Sequence, residues 1–306
     1  MPSLTAKLDK LYATSPVLPF DNSSRIIIMS DCHRGQGNGG DNFLPNSVIY
    51  QGAMEYYYRN GYSYIELGDG DELWENRCIG VILRTYGRIF RLLGEFQKEN
   101  RLFLLYGNHD IVKRRKTFAQ AACDAYACDA PEEPDNIFEQ TKASESLILE
   151  NRGTGQRLFL IHGHQGSLLN DELWPLGRFL VRYLWRPLEI IGFTAPTGAG
   201  RSRRLMEKIE KQLCSYASST GRILIAGHTH RPVFPEPGAC PYFNDGSCVH
   251  PQCITGLEIR SGRISLVRWA ASSDDSLHLV IRRETLNGPT ALEEYDQAQS
   301  FGSLLK

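Results

Sequence analysis

Five short clusters of Asp, Asn and His contain the residues of this chain whose types and spacing point to chemistry. Six of the eight histidines lie in these clusters, which scattered core or surface histidines would not do. Carboxylate, amide oxygen and imidazole together suit Mn²⁺, Fe²⁺ or Zn²⁺, whereas the near absence of cysteine from the clusters disfavours a structural thiolate zinc site. The clusters are Asp31-Cys32-His33, Gly68-Asp69, Gly107-Asn108-His109-Asp110, His162-Gly163-His164 and Gly227-His228-Thr229-His230.

Each cluster directly follows a short apolar run that predicts a buried strand. Because sites gather at the carboxyl ends of strands in open α/β sheets, the five strand ends predict one common metal site. The clusters hold too many ligands for one ion. Two ions about 4 Å apart can clamp the attacking and leaving oxygens of a displacement at phosphorus. The predicted strands are 25–30, 64–67, 101–106, 157–161 and 222–226.

Taken in order, the motifs D-x-H, G-D, G-N-H-D, H-G-H and G-H-T-H resemble those of the calcineurin-like metallophosphoesterase family. The resemblance covers roughly residues 25–270. It implies an α/β fold, a four-layer α/β/β/α sandwich of two mixed sheets flanked by helices. The order of elements in the sequence agrees, because helices and strands alternate early in the chain and strands dominate later.

The resemblance also implies a role for each motif residue. Asp69 would bridge two divalent metal ions. His109 would act as a general acid or charge stabiliser beside the substrate, and Asp110 would orient it. His164 would lie behind the ligands, where it is a candidate for substrate binding. The first ion would be held by Asp31, His33, Asp69 and His230, and the second by Asp69, Asn108, His162 and His228.

The chain is expected to form a metallophosphoesterase domain over residues 25–286. An N-terminal arm, 1–24, would precede it, and a polar C-terminal tail, 287–306, would follow it as a loosely attached helix or disordered segment. A helical cap insertion at about 168–217 would separate the fourth and fifth motifs.

The cap insertion begins with large apolar residues among which arginine recurs every fourth position, at Arg178, Arg182 and Arg186. This spacing places the three side chains on one face of a helix. The segment 201–216 predicts a second, basic helix. We expect the two to cover the metal site, while an ordinary packed helix pair and contact with a membrane surface are the alternatives.

A closer resemblance concerns the run from Gly68 to Trp74, which is similar to the G-D-x-x-E-x-W pattern of UDP-2,3-diacylglucosamine hydrolases. Those enzymes cut a pyrophosphate and carry a helical lid between their fourth and fifth motifs. They typically have H-G-D and G-N-R-D, where this chain has His164 and His109 in the third position of each motif. An arginine and a histidine treat phosphate differently, so the sequence predicts a sister branch.

Two further segments near the motifs are candidates for contacting an anionic substrate. The Gly-rich loop 34–41 follows the first ligands, and its Arg34 and Asn38 are predicted to bind phosphate, with a plain surface turn as the equal alternative. The basic run 113–116 follows the third motif and either attracts the substrate or forms a solvated face.

Composition and charge agree with a cytoplasmic enzyme. The formal net charge is −1 and the pI is near 6.7, which disfavours a nucleic-acid partner. The first 22 residues lack the features of a secretory signal, and no long uncharged apolar stretch predicts a spanning helix. We therefore expect a cytoplasmic location, with peripheral contact at the inner membrane face through the cap insertion as an open alternative.

The eight cysteines are expected to be reduced thiols, because nothing in the sequence predicts export. Cys240, Cys248, His250 and Cys253 cluster, but their spacing is irregular and no C-x₂-C pair is present. Buried or partly exposed thiols are therefore favoured over a second, zinc-binding site.

The sequence thus predicts a dinuclear metal-dependent phosphoesterase that hydrolyses a phosphate ester or pyrophosphate of a small, nucleotide-sugar or lipid-like molecule. Mn²⁺ is the expected metal, with Fe or Zn as alternatives. A non-catalytic binding scaffold on the same fold and a nuclease are the competing functions. A scaffold would have lost ligands, and this chain has lost none.

Overall fold

The structure is a computed structural model that describes residues 3–76, 78–115, 117–118, 122, 138, 142–166 and 198–296. The described strands are β1 (Val17–Phe20), β2 (Arg25–Met29), β3 (Ser63–Leu67), β4 (Leu102–Leu105), β5 (Ser146–Asn151), β6 (Arg157–Ile161), β7 (Ile223–Ala226), β8 (Tyr242–Asn244), β9 (Cys253–Arg260), β10 (Arg263–Ser273) and β11 (Leu279–Ala291). The described helices are α1 (Leu4–Thr14), α2 (Ser47–Arg59), α3 (Ile79–Thr85), α4 (Gly87–Lys98) and α5 (Gly198–Thr220).

The strands form two mixed sheets. One has five strands in the order β1-β5-β6-β7-β8, and the other has six in the order β11-β10-β9-β2-β3-β4. Strands β2, β3 and β4 are parallel neighbours, as are β6, β7 and β8. The strands that precede the five motifs therefore lie side by side, three in one sheet and two in the other, which brings their carboxyl ends together.

The core lies between the sheets and is continued on their outer faces. In β2, Ile26 and Ile28 point between the sheets, while Ile27 and Met29 point toward α2 and α4. This alternation follows from the two-residue period of a strand. Because both faces of β2 are buried, its sequence is a continuous apolar run. Helices α1 and α5 cover the outer face of the five-stranded sheet. The order helix, sheet, sheet, helix confirms the predicted four-layer sandwich.

Both ends of the predicted domain need correction. Within the expected arm, β1 pairs in parallel with β5 and Leu8 of α1 is fully buried. Within the expected tail, β11 extends to Ala291, and the side chains of Leu292 and Tyr295 pack into the core between the sheets. The prediction failed because charged and polar residues alternate with the few apolar anchors, which obscures both elements in the sequence.

The C-terminal half of the predicted cap insertion belongs to the core of the protein and not to a cap. Helix α5 confirms the predicted basic helix, but its Ile209, Leu213 and Tyr216 are buried against β6 and β7. That half of the insertion is therefore part of the sandwich. The apolar segment with Arg178, Arg182 and Arg186 lies outside the described residues, so its capping role stays a prediction.

The cysteines differ from expectation at one pair. The structure joins Cys214 of α5 to Cys240 as a disulfide, with the two Cα atoms 6.0 Å apart, so these two residues were wrongly predicted as thiols. Cys248 is a buried free cysteine that lies in the same core cluster as Cys32. None of the metal-compatible groups found among the described residues contains a cysteine, which disfavours the alternative zinc site.

Among the helices that the structure describes, none is both long enough and apolar enough to cross a membrane.

Candidate metal centre

Five of the seven predicted ligands have a left-handed backbone, which is uncommon for residues other than glycine. Such a conformation costs about 1–3 kcal/mol and persists only where the surrounding contacts impose it. The strain falls where β2, β3 and β7 end, so the fold turns the chain sharply to direct these side chains inward. The φ angles are 52° at Asp31, 48° at His33, 51° at Asp69, 67° at His228 and 54° at His230.

The turns after β2 and β3 are joined by backbone hydrogen bonds. The Asp31 N–H donates to the Gly68 carbonyl at 3.1 Å, and the His33 N–H donates to the Asp69 carbonyl at 2.9 Å. Gly68 has a φ of 101°, and a Cβ at this position would lie 2.7 Å from His162 Nδ1. A glycine is therefore required where the turn passes beneath the imidazole.

Asp31, His33 and His230 form the first group that can hold a metal ion. Asp31 Oδ1 lies 3.0 Å from His230 Nε2 and 3.5 Å from His33 Nε2, and the two Nε2 atoms are 3.4 Å apart. Atoms that bind one ion at about 2.1 Å lie about 3.0–3.4 Å from one another. These three residues therefore have the spacing of ligands to a common ion.

The other oxygen of Asp31 is already engaged. Asp31 Oδ2 accepts the His228 N–H at 2.8 Å and lies 2.5 Å from Ser30 Oγ, which is also 2.8 Å from Asp245 Oδ1. Burial opposes ionisation of Asp31, but the charges of His230 and His162 outweigh it and hold its pKa well below the usual value. Asp31 is thus a carboxylate with one oxygen fixed by the protein and one directed at the site.

Asp69, His162 and His228 form the second group, and all three are buried. His162 Nε2 lies 3.1 Å from Asp69 Oδ2, and its Nδ1 is 2.9 Å from the Leu67 carbonyl. The carbonyl can only accept, so Nδ1 carries the hydrogen and Nε2 is left for a metal. Burial, with the charge of His162, lowers the pKa of His228 to about 3, which keeps its imidazole neutral, as a metal ligand must be.

Asp69 connects the two groups. Its Oδ2 lies 3.9 Å from His33 Nε2 of the first group, while the same oxygen contacts His162 of the second. Asp69 Oδ1 accepts the His109 N–H at 2.8 Å, which fixes the plane of the carboxylate. This is the placement expected of a bridging carboxylate.

Three buried atoms of the site have no hydrogen-bond partner among the residues that the structure describes, namely Asp31 Oδ1, Asn108 Oδ1 and His162 Nε2. A buried polar atom without a partner is costly, so such atoms call for an explanation. All three can donate a lone pair to a cation. Although burial opposes protonation, the charges of Asp69 and Asp31 raise the pKa of His162 to about 9 without metal, so an ion that binds Nε2 would displace a proton from it. The residues present therefore fit divalent metal ions.

His109 is held by Glu72 and Trp74, a role that the sequence assigned to Asp110. Glu72 Oε2 lies 2.8 Å from His109 Nδ1 and 3.0 Å from His33 Nδ1, so one carboxylate orients both rings. Trp74 stacks on His109 with the ring centroids 4.5 Å apart. Glu72 and Trp74 are the E and the W of the pattern G-D-x-x-E-x-W, so the sequence singled them out. Only the fold shows that they contact His33 and His109.

Asp110 does not contact His109, and its predicted role is wrong. Its fully buried carboxylate accepts the backbone N–H of Gly107 at 2.7 Å, of Gly70 at 3.1 Å and of Asp69 at 3.3 Å. Asp110 therefore holds the turns that carry the ligands. The sequence could not show this, because two of the three donors lie about 40 residues earlier in the chain.

Arg34 cannot bind substrate as predicted, since only 1% of its side chain is exposed. It lies 2.8 Å from both Glu66 Oε2 and Asp71 Oδ1. Lys113 is equally buried and is neither a solvated nor a steering residue, because it contacts Asp71 and Asp110. Both cations were predicted at the surface because their partners are distant in sequence.

Asn38 and His164 stay predictions as substrate-binding residues. Asn38 is exposed and lines a small pocket beside His33 and Glu72, which is compatible with the prediction. His164 is buried with its ring centroid 5.6 Å from that of His162, and none of the described residues hydrogen-bonds its two nitrogens. It lies next to the second group without belonging to it.

Replacing Glu72 with glutamine is expected to weaken metal binding and turnover by about 10–100-fold, the usual effect of losing a partner of a ligating histidine. A carboxylate can accept from two imidazole N–H groups, whereas an amide would present its NH₂ group to one of them. Metal titration and rate measurements check this, with the exposed Glu55→Gln as the matched control. Equal affinity and rate in Glu72→Gln and the control would contradict the assignment.

Residues 24–232 match the calcineurin-like phosphoesterase family, and the chain belongs to this family. Members generally hydrolyse phosphoesters and typically bind divalent metals. A comparison with curated proteins gave no match. Among solved structures, the chain is similar to Vps29 of Chaetomium thermophilum, with 10% identity and a TM-score of 0.38 over 87% of this chain and 97% of Vps29.

Proposed function

We propose that this protein is a dinuclear metal-dependent phosphoesterase. The observation that carries the proposal is the pair of ligand groups joined at Asp69, with three buried lone-pair atoms that find no partner in the described part of the chain. The ligands proposed for the first ion are Asp31, His33, Asp69 and His230, and those for the second are Asp69, Asn108, His162 and His228.

Two bound ions would supply Lewis acidity and an activated water for attack at phosphorus. Mixed oxygen and nitrogen ligation favours Mn²⁺, with Fe or Zn as alternatives. The side chains of the protein would hold the phosphoryl group and donate a proton to the leaving oxygen. Asn108, as a neutral amide, and His228 are proposed to hold phosphoryl oxygens from the side of the second group.

His109 is the proposed general acid. Glu72 engages its Nδ1, which leaves Nε2 as the nitrogen that faces a substrate, and Trp74 prevents the ring from turning. Burial opposes protonation of His109, but the charges of Glu72 and Asp69 outweigh it and raise its pKa above the ordinary value. A protonated imidazole beside the leaving oxygen can donate its proton as the ester bond breaks.

We propose a phosphate ester or pyrophosphate with an amphiphilic leaving part as the substrate. The support is the similarity to UDP-2,3-diacylglucosamine hydrolases in the motif that supplies Asp69, Glu72 and Trp74, since these residues meet at His109. The segment of the cap insertion that contains Arg178, Arg182 and Arg186 also supports an amphiphilic anion, because it combines large apolar residues with positive charge. His109 in place of the arginine of those enzymes separates the two branches.

Removal of residues 168–197 behind a short linker is expected to spare hydrolysis of 4-nitrophenyl phosphate and to abolish turnover of a bulky amphiphilic pyrophosphate such as UDP-2,3-diacylglucosamine. The reason is that remote binding energy is lost while the metal centre is kept. Helix α5 must stay, because its buried face belongs to the core. The variant's folding is checked by circular dichroism. Unfolding, or equal effects on both substrates, would contradict a capping role.

The same variant tests the membrane alternative. If the cap insertion contacts lipid, the full chain should sediment with anionic phospholipid vesicles, and the shortened chain should stay in the supernatant. Equal behaviour of the two chains would contradict peripheral contact through this segment. We propose a cytoplasmic location in either case.

The experiment that tests the proposed function is hydrolysis of 4-nitrophenyl phosphate by protein that has been stripped with a chelator and reloaded with Mn²⁺. The proposal expects activity that requires metal and is lost in Asp31→Ala. Full metal occupancy without hydrolysis of this ester or of nucleotide and pyrophosphate substrates would favour a binding scaffold. Preferred cleavage of oligonucleotides would favour a nuclease.

A further inference from the structure

Beneath the ligand turns lies a cluster of five buried charged side chains, none of which is a proposed ligand or catalytic residue. It consists of three carboxylates, Glu66, Asp71 and Asp110, and two cations, Arg34 and Lys113. Each of these side chains is at most 1% exposed. Charges are buried this deeply only when they are paired, because removal from water is costly. The cluster must therefore form as one unit.

The two cations divide the carboxylates between them. Arg34 contacts Glu66 through two nitrogens, at 2.8 and 2.9 Å, and reaches Asp71 Oδ1 at 2.8 Å. Lys113 Nζ lies 2.8 Å from Asp71 Oδ2 and 2.7 Å from Asp110 Oδ2. Within the described part of the chain, Lys113 is the cation that contacts Asp110. Its removal would leave that carboxylate buried without a counter-ion.

Asp110 connects this cluster to the proposed metal centre. Its two oxygens accept the backbone N–H groups of Asp69, Gly70 and Gly107, which belong to the turns after β3 and β4. One of these turns presents Asp69 in its strained left-handed conformation, and the other presents Asn108. A single carboxylate therefore fixes the backbone on both sides of the bridging ligand.

There is little room for this arrangement to relax. A Cβ on Gly70 would lie 1.9 Å from Glu66 Oε1, and a Cβ on Gly107 would lie 2.2 Å from Asp69 Oδ1. Backbone and charged groups thus pack directly on one another, and a displaced Asp110 would move both turns. The ligands would then lose the spacing that two ions require.

We propose that Lys113 is a positioning residue for the metal centre. It holds Asp110 as a buried carboxylate, and Asp110 holds the two turns that present Asp69 and Asn108. The Lys113 side chain is 1% exposed, and its ion-pair partners in the described part of the chain are Glu66, Asp71 and Asp110, none of which is a proposed ligand. The part of the proposal that concerns metal binding rests on the proposed function, whereas the part that concerns the turns does not.

The test compares Lys113→Met, which removes the charge at similar volume, with Lys113→Arg, which keeps it. Lys211→Met on the exposed face of α5 is the control. Mn²⁺ titration of the stripped proteins should show binding at both positions weakened about 10–100-fold in Lys113→Met, the range for partners of metal ligands. Lys113→Arg should recover most of the affinity, and the control should match the unmodified protein.

Hydrogen exchange in the metal-free proteins supplies the second measurement. In Lys113→Met, amide exchange should become faster in the segments 68–71 and 107–110, which donate to Asp110, while β9 and β10 keep their protection. Wild-type exchange in those two segments would overturn the proposal. Faster exchange across all strands, with no recovery in Lys113→Arg, would also overturn it, because Lys113 would then only stabilise the fold.

The two measurements separate this proposal from the proposed function. If the unmodified protein binds no metal, the proposed function fails, and the exchange result alone decides whether Lys113 positions the turns.

Discussion

Replacing Asp69 with alanine is expected to remove both metal ions and to abolish hydrolysis. Asp69 belongs to the second ligand group and reaches within 3.9 Å of His33 in the first, so both ions would lose a ligand at once. Elemental analysis of the purified variant, with ample Mn²⁺ supplied, measures the loss directly.

The matched variant is His230→Ala. His230 belongs to the first group alone, and its Nε2 contacts Asp31 Oδ1 at 3.0 Å. We expect it to lower occupancy at one position and to leave the other filled. If Asp69→Ala kept one ion at full occupancy, the bridging role would be wrong, and the two groups would have to bind independently.

Replacing His109 with alanine is expected to slow turnover by about 10²–10⁴-fold while both ions stay bound. The reason is that His109 is held by Glu72 and Trp74 at the edge of the site, with 24% of its side chain exposed, and is proposed to give a proton to the leaving oxygen. The loss should be smaller for 4-nitrophenyl phosphate than for an alkyl phosphate, because nitrophenolate leaves without protonation.

The same variant tests the alternative that His109 is a ligand, since it also forms a metal-compatible group with His33 and Asp69. Metal analysis of His109→Ala distinguishes the two roles. Loss of an ion would make His109 a ligand, and equal rate losses for good and poor leaving groups would refute the acid role. His278→Ala is the control, because this histidine is exposed and belongs to none of the metal-compatible groups found among the described residues.

The strands and ligands could be predicted from the sequence because their signals are local. Each candidate ligand follows an apolar run within four residues, as His162 follows β6 and Asp69 follows β3. The parallel order of these strands then brings the ligands together without any further information. The resemblance to the family gave the same set. The geometry groups Asp31 with His230 and Asp69 with His162, and their role as ligands stays a prediction.

The burial of the charged side chains could not be predicted in this way, because it depends on ion-pair partners that are distant in the sequence. Arg34 is separated from Glu66 by 32 positions and Lys113 from Glu66 by 47, and a run of basic residues in a sequence usually lies at the surface. The resemblance to the family implied that Asp110 orients His109. The fold instead directs the Asp110 carboxylate to three backbone N–H groups and places Glu72 beside His109.

The central claim is that catalysis requires two ions held by this chain. The most direct measurement titrates stripped protein with Mn²⁺ and records the hydrolysis rate of 4-nitrophenyl phosphate against the number of ions bound per chain. The rate should saturate as the second ion binds, at two ions per chain. Saturation at one ion, or hydrolysis by the stripped protein at the same rate, would contradict it.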